Sequence, residues 1–270
     1  MVAKFLSNEE IINIVNGRCD DPFAFLGFHK LDNKKKSAVI RTFQPFAKEI
    51  ELIAKDTPME IPMERIHKDG LFEIFVPEDT TNYKFLITDF DGNESVVDDV
   101  YSFPAIIGEF DNYLLREGNH FELYKKMGAQ LTSLNGVDGV SFAVWAPDAY
   151  RVSVVGEFNH WDGRIHVMRK HPVSGIWDIF IPHLTEGTLY KFELISKEGR
   201  LLPLKSDPYG FYQELRPHTA SIVWDRKKYK WSTNKKWDEE KHTINSNSAP
   251  ISIYEAHLGS WKRKDGNQYL

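Results

Sequence analysis

One run of the sequence has residue types and spacing suited to holding a ligand: Val154-Val155-Gly156-Glu157-Phe158-Asn159-His160-Trp161-Asp162-Gly163. A strand of β-branched residues ends at Gly156, where the missing Cβ permits a sharp exit. Phe158 can anchor the following loop in a core. Asn159 can bond nearby backbone and hold a turn, and Asp162-Gly163 can close it. This leaves Trp161 carried on a short loop, where an indole offers a flat apolar face of the kind on which sugar rings stack. Two roles are open for Trp161 at this point, a platform for a ligand or an anchor for the loop itself. Asn159 can serve as a turn former or a ligand contact. Lys191, on a later strand, can serve as a solvated lysine or a contact.

Other constellations carry less. His166 and His171, with Cys19 far off, lack the spacing of metal ligands, so no metal site is expected. No G-x-S-x-G nucleophile elbow surrounds Ser260, and no phosphate-binding G-x-x-x-x-G-K run occurs. Arg226–Trp237 mixes basic and aromatic residues, which superficially suits single-stranded nucleic acid. Acidic Asp238-Glu239-Glu240 follows at once and the net charge is −5, so a solvated linker and no nucleic-acid partner are expected. Glu255 and His257 alternate and can share a strand face. Glycoside cleavage needs an acid and a second carboxylate placed across the scissile bond, and two residues on one strand do not supply that.

The elements that must position these residues are read from periodicity. Ser7 with Glu10 forms a capping box, Ile11, Ile12, Ile14 and Val15 give an apolar face, and Gly17 can stop the helix, so a helix is expected over 7–16. Strand patterns dominate afterwards, among them Ala38–Phe43, Glu49–Ala54, Leu71–Val76 and Tyr83–Thr88. With 270 residues, 41% hydrophobic and 27% charged, the chain can form about two ordinary domains. A single cysteine, Cys19, excludes an intrachain disulfide framework and favours a reducing compartment. The N-terminus turns polar at Ser7-Asn8-Glu9-Glu10, too early for a signal peptide, and no apolar run is long enough to span a bilayer. A cytoplasmic protein with no membrane partner is the expectation.

The chain also repeats itself. Pro45–Leu52 (PFAKEIEL) aligns with Pro147–Val154 (PDAYRVSV), and Asp69–Pro77 with Ser174–Pro182. Tyr83-Lys84-Phe85 aligns with Tyr190-Lys191-Phe192, and Asp99–Phe103 with Asp207–Phe211. The matches stay in order and their separation grows steadily, as small loop insertions would make it. Two homologous all-β modules of roughly a hundred residues each follow, the size of a small β-sandwich domain. Alternation puts Trp177, Ile179 and Ile181 on one face, and Tyr190, Phe192 and Leu194 on another, with Lys191 pointing away. The expected domains are 1–110 (helix and first immunoglobulin-like β-sandwich), 111–225 (second sandwich), a linker at 226–250, and a segment at 251–270 that restarts as a strand at Ile251-Ser252-Ile253-Tyr254.

The G-x-F-N-x-W element at Gly156–Trp161 resembles that of the starch- and glycogen-associated modules of α-amylase-family enzymes, the family-48 carbohydrate-binding modules. Phe142–Pro147, Tyr190–Glu193, Lys205–Tyr209, Arg216–Ser221 and Asp21–Gly27 resemble successive motifs of glycogen (1,4-α-glucan) branching enzymes, in order. Ile251–Trp261 resembles the first strand of that family's catalytic (β/α)8 barrel. The resemblance covers nearly the whole chain. It departs at Cys19, where the family usually has His. It implies that Trp161, Asn159 and Lys191 bind α-glucan, and that residues 251–270 are a stub of the barrel. The family's catalytic carboxylates come from later barrel strands, so no catalytic residue is expected in this chain and none of its own enzymatic activity. The partners implied are an α-glucan and the missing barrel domain, with no cofactor. The first module lacks the G-x-F-N-x-W run and is expected to be a structural spacer. A free-standing non-catalytic glycogen-binding protein is the alternative, and a scaffold without ligand is a third. Ile251, Ile253, Tyr254, Leu258 and Trp261 are expected to form an exposed apolar tail where no barrel buries them.

Overall fold

A computed structural model describes residues 6–31, 36–54, 60–230 and 235–257, and the backbone of 263–264 and 268–269. The chain divides into two units, Met1–Arg226 and Lys227–Leu270. The first is built almost wholly of antiparallel strands.

Helix α1 (Asn8–Val15) begins where the sequence places it. The Glu10 N–H donates to Ser7 Oγ at 3.2 Å and the Ser7 N–H donates to Glu10 Oε2 at 2.7 Å, so two otherwise orphaned donors are satisfied reciprocally. Gly17, at φ +61°, turns the chain out of the helix.

In the first half, β1 (Gly27–Lys30), β2 (Ser37–Phe43), β5 (Glu64–His67) and β6 (Leu71–Pro77) form a sheet in the order β1-β2-β6-β5. Strands β3 (Ala47–Ala54), β4 (Glu60–Pro62), β7 (Tyr83–Asp89) and β8 (Glu94–Val97) form a second, ordered β4-β3-β7-β8. Alternate residues of both sheets meet in one core, with Ile40, Phe72 and Val76 from the first and Ile50, Leu52 and Phe85 from the second.

The second half repeats this plan. Strands β9 (Gly128–Leu134), β10 (Val137–Trp145), β12 (Arg169–His171) and β13 (Ile176–Pro182) form a sheet ordered β12-β13-β10-β9. Strands β11 (Ala149–Val155), β14 (Leu189–Ser196), β15 (Tyr212–Gln213) and β16 (Ser221–Ile222) form the other, ordered β11-β14-β16-β15. Their shared core holds Trp177, Ile179, Ile181, Tyr190 and Phe192, with Leu194 packed against it, the face that alternation assigns.

The internal repeat is visible in buried polar geometry. Tyr83 Oη donates to Asp99 Oδ2 at 2.6 Å, and Tyr190 Oη donates to Asp207 Oδ2 at 2.6 Å. The same carboxylates accept the N–H two residues on, from Tyr101 at 3.0 Å and from Tyr209 at 2.8 Å. Burial raises the Asp99 carboxyl pKa to about 6 and raises that of Asp207 as well. Gly27 and Gly128 open β1 and β9 at φ +88° and +79°, and a Cβ on either would crowd the carbonyl of Tyr101 or Tyr209 at 3.0 and 2.9 Å. One structural solution has been used twice.

The halves are tied by polar bonds. Arg151 Nη1 donates to the Gly17 carbonyl at 2.6 Å, and Tyr150 Oη to that of Arg18 at 3.0 Å. Asp178, fully buried on β13, accepts from the N–H groups of Ile106 and Ile107 at 2.7 and 2.8 Å.

Three findings differ from the sequence expectations. Helix α2 (Glu109–Arg116) occupies the stretch between the halves, where no element is expected. The Gly108 N–H donates to Asp111 Oδ2 at 3.0 Å, which starts it. Within the segment read as linker, α3 (Lys235–Ile244) forms, supported by a Lys241–Asp238 pair at 2.8 Å. Ile251-Ser252-Ile253-Tyr254 is not a strand: residues 251–257 carry no regular structure. A strand needs a neighbouring edge to satisfy its backbone, and Ile251, Ile253 and Tyr254 stand 85%, 83% and 74% exposed. Leu258 and Trp261 lie outside the described residues. A short antiparallel pair, β17 (Arg263–Lys264) with β18 (Gln268–Tyr269), follows.

Candidate functional site

The Gly156–Gly163 loop is shaped by its own sequence. At Gly156 a Cβ would run into the Phe158 ring and the Leu189 carbonyl, so only glycine lets β11 leave the sheet this closely. One turn of 3₁₀ helix follows at Glu157–Asn159. Asn159 is 2% exposed and lies beneath the loop. Its Oδ1 accepts from the Gly156 N–H at 3.0 Å, and its Nδ2 donates to the Val154 carbonyl at 2.9 Å and meets His166 Nδ1 at 3.0 Å. Of the two roles open to Asn159, turn former and ligand contact, its amide here serves the turn, bonded to the loop's own backbone. Because Nδ2 is the donor to Val154, His166 Nδ1 accepts, which fixes a neutral imidazole. Burial holds His166 in that form by lowering its pKa to about 4.

Two consecutive residues then adopt left-handed backbone, His160 at φ +54° and Trp161 at φ +58°. Neither is glycine, so each costs roughly 1–2 kcal/mol that the surrounding bonds must offset. The Trp161 N–H donates to the Gly156 carbonyl at 2.9 Å and Asp162 N–H to that of Asn159 at 3.0 Å. The indole Nε1 donates to Glu157 Oε1 at 3.3 Å, leaving the ring half-buried. Asp162 clasps Arg164 through Oδ2 and Nη2 at 2.6 Å, and Gly163 rests directly on the Glu193 carboxylate.

Those two ends decide where Trp161 goes. Tyr190 and Phe192 point into the core, so Leu189, Lys191 and Glu193 form the outer face of β14. The loop touches β14 at Leu189 through Gly156 and at Glu193 through Gly163, so it arches over that outer face. Lys191 pairs in register with Val155, the residue before the loop. Lys191 thus stands on the strand that both ends of the Trp161 loop touch, between Leu189 and Glu193. Lys191 Nζ donates to Thr219 Oγ1 at 2.7 Å. Deeper in, Glu193 pairs with Arg151, whose guanidinium pKa burial lowers while Glu193 opposes the shift. The surface is an indole, an ammonium, a hydroxyl and the Glu157 carboxylate, a set that can stack on a sugar ring and bond its hydroxyls.

Thr219 and Glu157 were missed from sequence. Thr219 sits in the Arg216–Ser221 motif, but only the sheet order β14-β16 puts that segment beside Lys191. Among the described residues no group of His, Cys, Asp or Glu is arranged to hold a metal ion, and no helix is long and apolar enough to cross a membrane.

Comparison with known proteins is consistent with this surface. Residues 126–210, which include Glu157, Trp161 and Lys191 but not Thr219, match the model of carbohydrate-binding module 48 (isoamylase N-terminal domain). Residues 7–101 match that of the alpha-1,4-glucan branching enzyme GlgB, N-terminal domain. The 1,4-alpha-glucan branching enzyme GlgB of Paramagnetospirillum magneticum is 46% identical over 261 residues, covering 97% of this chain and 34% of that protein. That of Rhodospirillum rubrum is 45% identical over 267 residues, covering 97% and 36%. The chain thus spans about a third of the length of the curated relatives it matches. A crystal structure of pullulanase from Anoxybacillus sp. LM18-11 aligns at 17% identity and a TM-score of 0.34, covering 77% of this chain and 29% of that one, a likeness that carries no argument. The first half is a branching-enzyme N-terminal domain and the second a family-48 carbohydrate-binding module, and the chain belongs to the 1,4-alpha-glucan branching enzyme family as its N-terminal region.

Proposed function

We propose that this chain is the substrate-holding region of an enzyme that cleaves an α-1,4 glucan and transfers the cut segment to a 6-hydroxyl, making α-1,6 branches in glycogen. The observation that carries it is that both ends of the Trp161 loop touch β14, the strand whose Lys191 donates to Thr219. A glucose ring stacks its C–H face on the indole, while Lys191, Thr219 and Glu157 bond its hydroxyls. Asn159 acts from below by fixing the loop. Holding remote glucan raises its effective concentration at the reacting centre.

Each half is read as an immunoglobulin-like β-sandwich, with domains 1–110 and 111–225. Residues 226–250 form the connection to a (β/α)8 barrel whose first strand begins near Ile251. The catalytic carboxylates belong to that barrel, the transfer proceeds through a covalent glycosyl-enzyme without a cofactor or metal, and the protein acts in the cytoplasm. The first half serves as a structural spacer.

Retardation in a gel containing glycogen tests the binding. The chain should be retarded, and both Trp161→Ala and Lys191→Ala should migrate faster than it while keeping their far-UV circular dichroism. Wild-type mobility unchanged by glycogen would refute the glucan surface. α-1,6 bond formation by the isolated chain would refute the placement of catalysis elsewhere.

A further inference from the structure

A second concave site lies on the other side of the same loop. A cleft of about 420 Å³ runs between the two halves of the first unit. Phe46, Ser95 and Asp98 line it from the first half, and Phe158, His160 and His183 from the second. Trp161 and Lys191 are not among its walls. Phe46 is 45% exposed although it meets the His160 ring edge-on, with centroids 4.5 Å apart and planes at 61°. His160 reaches the cleft because its left-handed backbone, at φ +54°, turns it away from the strand it follows.

The electrostatics of the walls select the ligand class. Asp98 Oδ2 accepts from His183 Nε2 at 2.6 Å and from Lys84 Nζ at 3.1 Å, so this carboxylate holds both donors. Asp89 adds a second carboxylate to the lining, and His166 at the back is held neutral by burial. A phosphorylated or carboxylated ligand would meet the Asp89 and Asp98 carboxylates. A neutral polyol has hydroxyls that both donate and accept, and ring C–H faces that suit Phe46 and His160. Clefts at the junction of two domains are favoured sites for such ligands.

We propose that this cleft is a second α-glucan site, separate from the Trp161 surface and built jointly by the two halves. The proposal rests on the glucan-binding reading of the chain. It gives the first half a direct part in binding, beyond that of a spacer. It also gives the Gly156–Gly163 loop two working sides: Trp161 on the outer face of β14 and His160 in the cleft.

The test is calorimetric titration of the chain with maltoheptaose, a linear α-1,4 glucan, using wild type, Trp161→Ala, Phe46→Ala and the double variant. Phe46 is partly exposed, so its replacement should leave the thermal midpoint close to wild type. Wild type should bind at two sites, each single variant at one, and the double variant at none. In Trp161→Ala, maltoheptaose should still shift the ring-proton resonances of His160 and His183, and in Phe46→Ala those shifts should disappear. As a second probe, Ser95→Trp, which fills the cleft from an exposed position, should remove the same event as Phe46→Ala. Complete loss of binding in Trp161→Ala, with Phe46→Ala and Ser95→Trp binding as wild type, overturns the cleft site and leaves the Trp161 surface standing. No binding by wild type overturns the underlying glucan reading, and the cleft site with it.

Discussion

Replacing Asn159 by alanine should separate the stability of the loop from its orientation. Three bonds disappear: from the Gly156 N–H, to the Val154 carbonyl and with His166 Nδ1, at 3.0, 2.9 and 3.0 Å. Each is worth about 1 kcal/mol net, and a buried group left unsatisfied costs about 1–3 kcal/mol. The gross loss is therefore about 3 kcal/mol or more. Against it stands relief at His160 and Trp161, whose left-handed backbone at φ +54° and +58° stores roughly 1–2 kcal/mol each. Once the network is gone, those residues can relax to ordinary φ values and recover part of the cost. The net loss of unfolding free energy should then be only about 1–2 kcal/mol, while Trp161 loses its place over β14. Urea denaturation and maltoheptaose titration measure the two effects on one sample. The expected pattern is a modest drop in midpoint at unchanged slope, with glucan affinity at the Trp161 surface falling nearly as far as in Trp161→Ala. Wild-type affinity at that surface in Asn159→Ala would refute the reasoning, because Trp161 would then be held by something other than this network.

The remaining expectations concern the repeat and the buried titrating groups. Tyr83→Phe and Tyr190→Phe each leave a buried carboxylate without its hydroxyl donor, so each should cost about 1–3 kcal/mol. Similar losses in denaturation experiments would support the equivalence of the two positions, and a negligible loss in either would contradict it. Gly27→Ala and Gly128→Ala force a Cβ at positive φ against the carbonyls of Tyr101 and Tyr209. Both should destabilise by more than about 1 kcal/mol, and a thermal midpoint unchanged in either would count against the packing described. His166 titrates near 4 when folded and near 6.5 when unfolded. Its folded pKa is depressed, so its contribution is fully present above pH 6.5 and is lost as pH falls towards 4, by at most ~3 kcal/mol. Asp99, with its carboxyl pKa raised to about 6, acts in the opposite sense, its contribution being lost as pH rises from 4 to 6. The stability difference between wild type and His166→Gln therefore isolates the histidine and should shrink below pH 6.5. A pH-independent difference would mean that folding leaves the His166 pKa where it stands in the unfolded chain.

The sequence by itself determined what depends on near neighbours. The capping box at Ser7 and Glu10, the strands β2, β3, β6 and β7 and the inward face of Trp177, Ile179 and Ile181 all follow from spacing along the chain, because side-chain alternation is fixed by backbone geometry. The repeat was legible for the same reason: two copies of one local pattern bury the same Tyr–Asp pair. Tertiary structure alone decided which partner each polar atom found. Asn159 found Gly156 and Val154 close by along the chain, as a turn former does, and His166 was the partner its sequence did not state. Thr219 reaches Lys191 because β16 lies beside β14, and Phe46 meets His160 because two halves far apart in sequence close on each other. Ile251–Tyr254 has the alternation of a strand, yet its backbone forms no ladder among the described residues. A strand is a property of two segments, and one segment's sequence states only half of it.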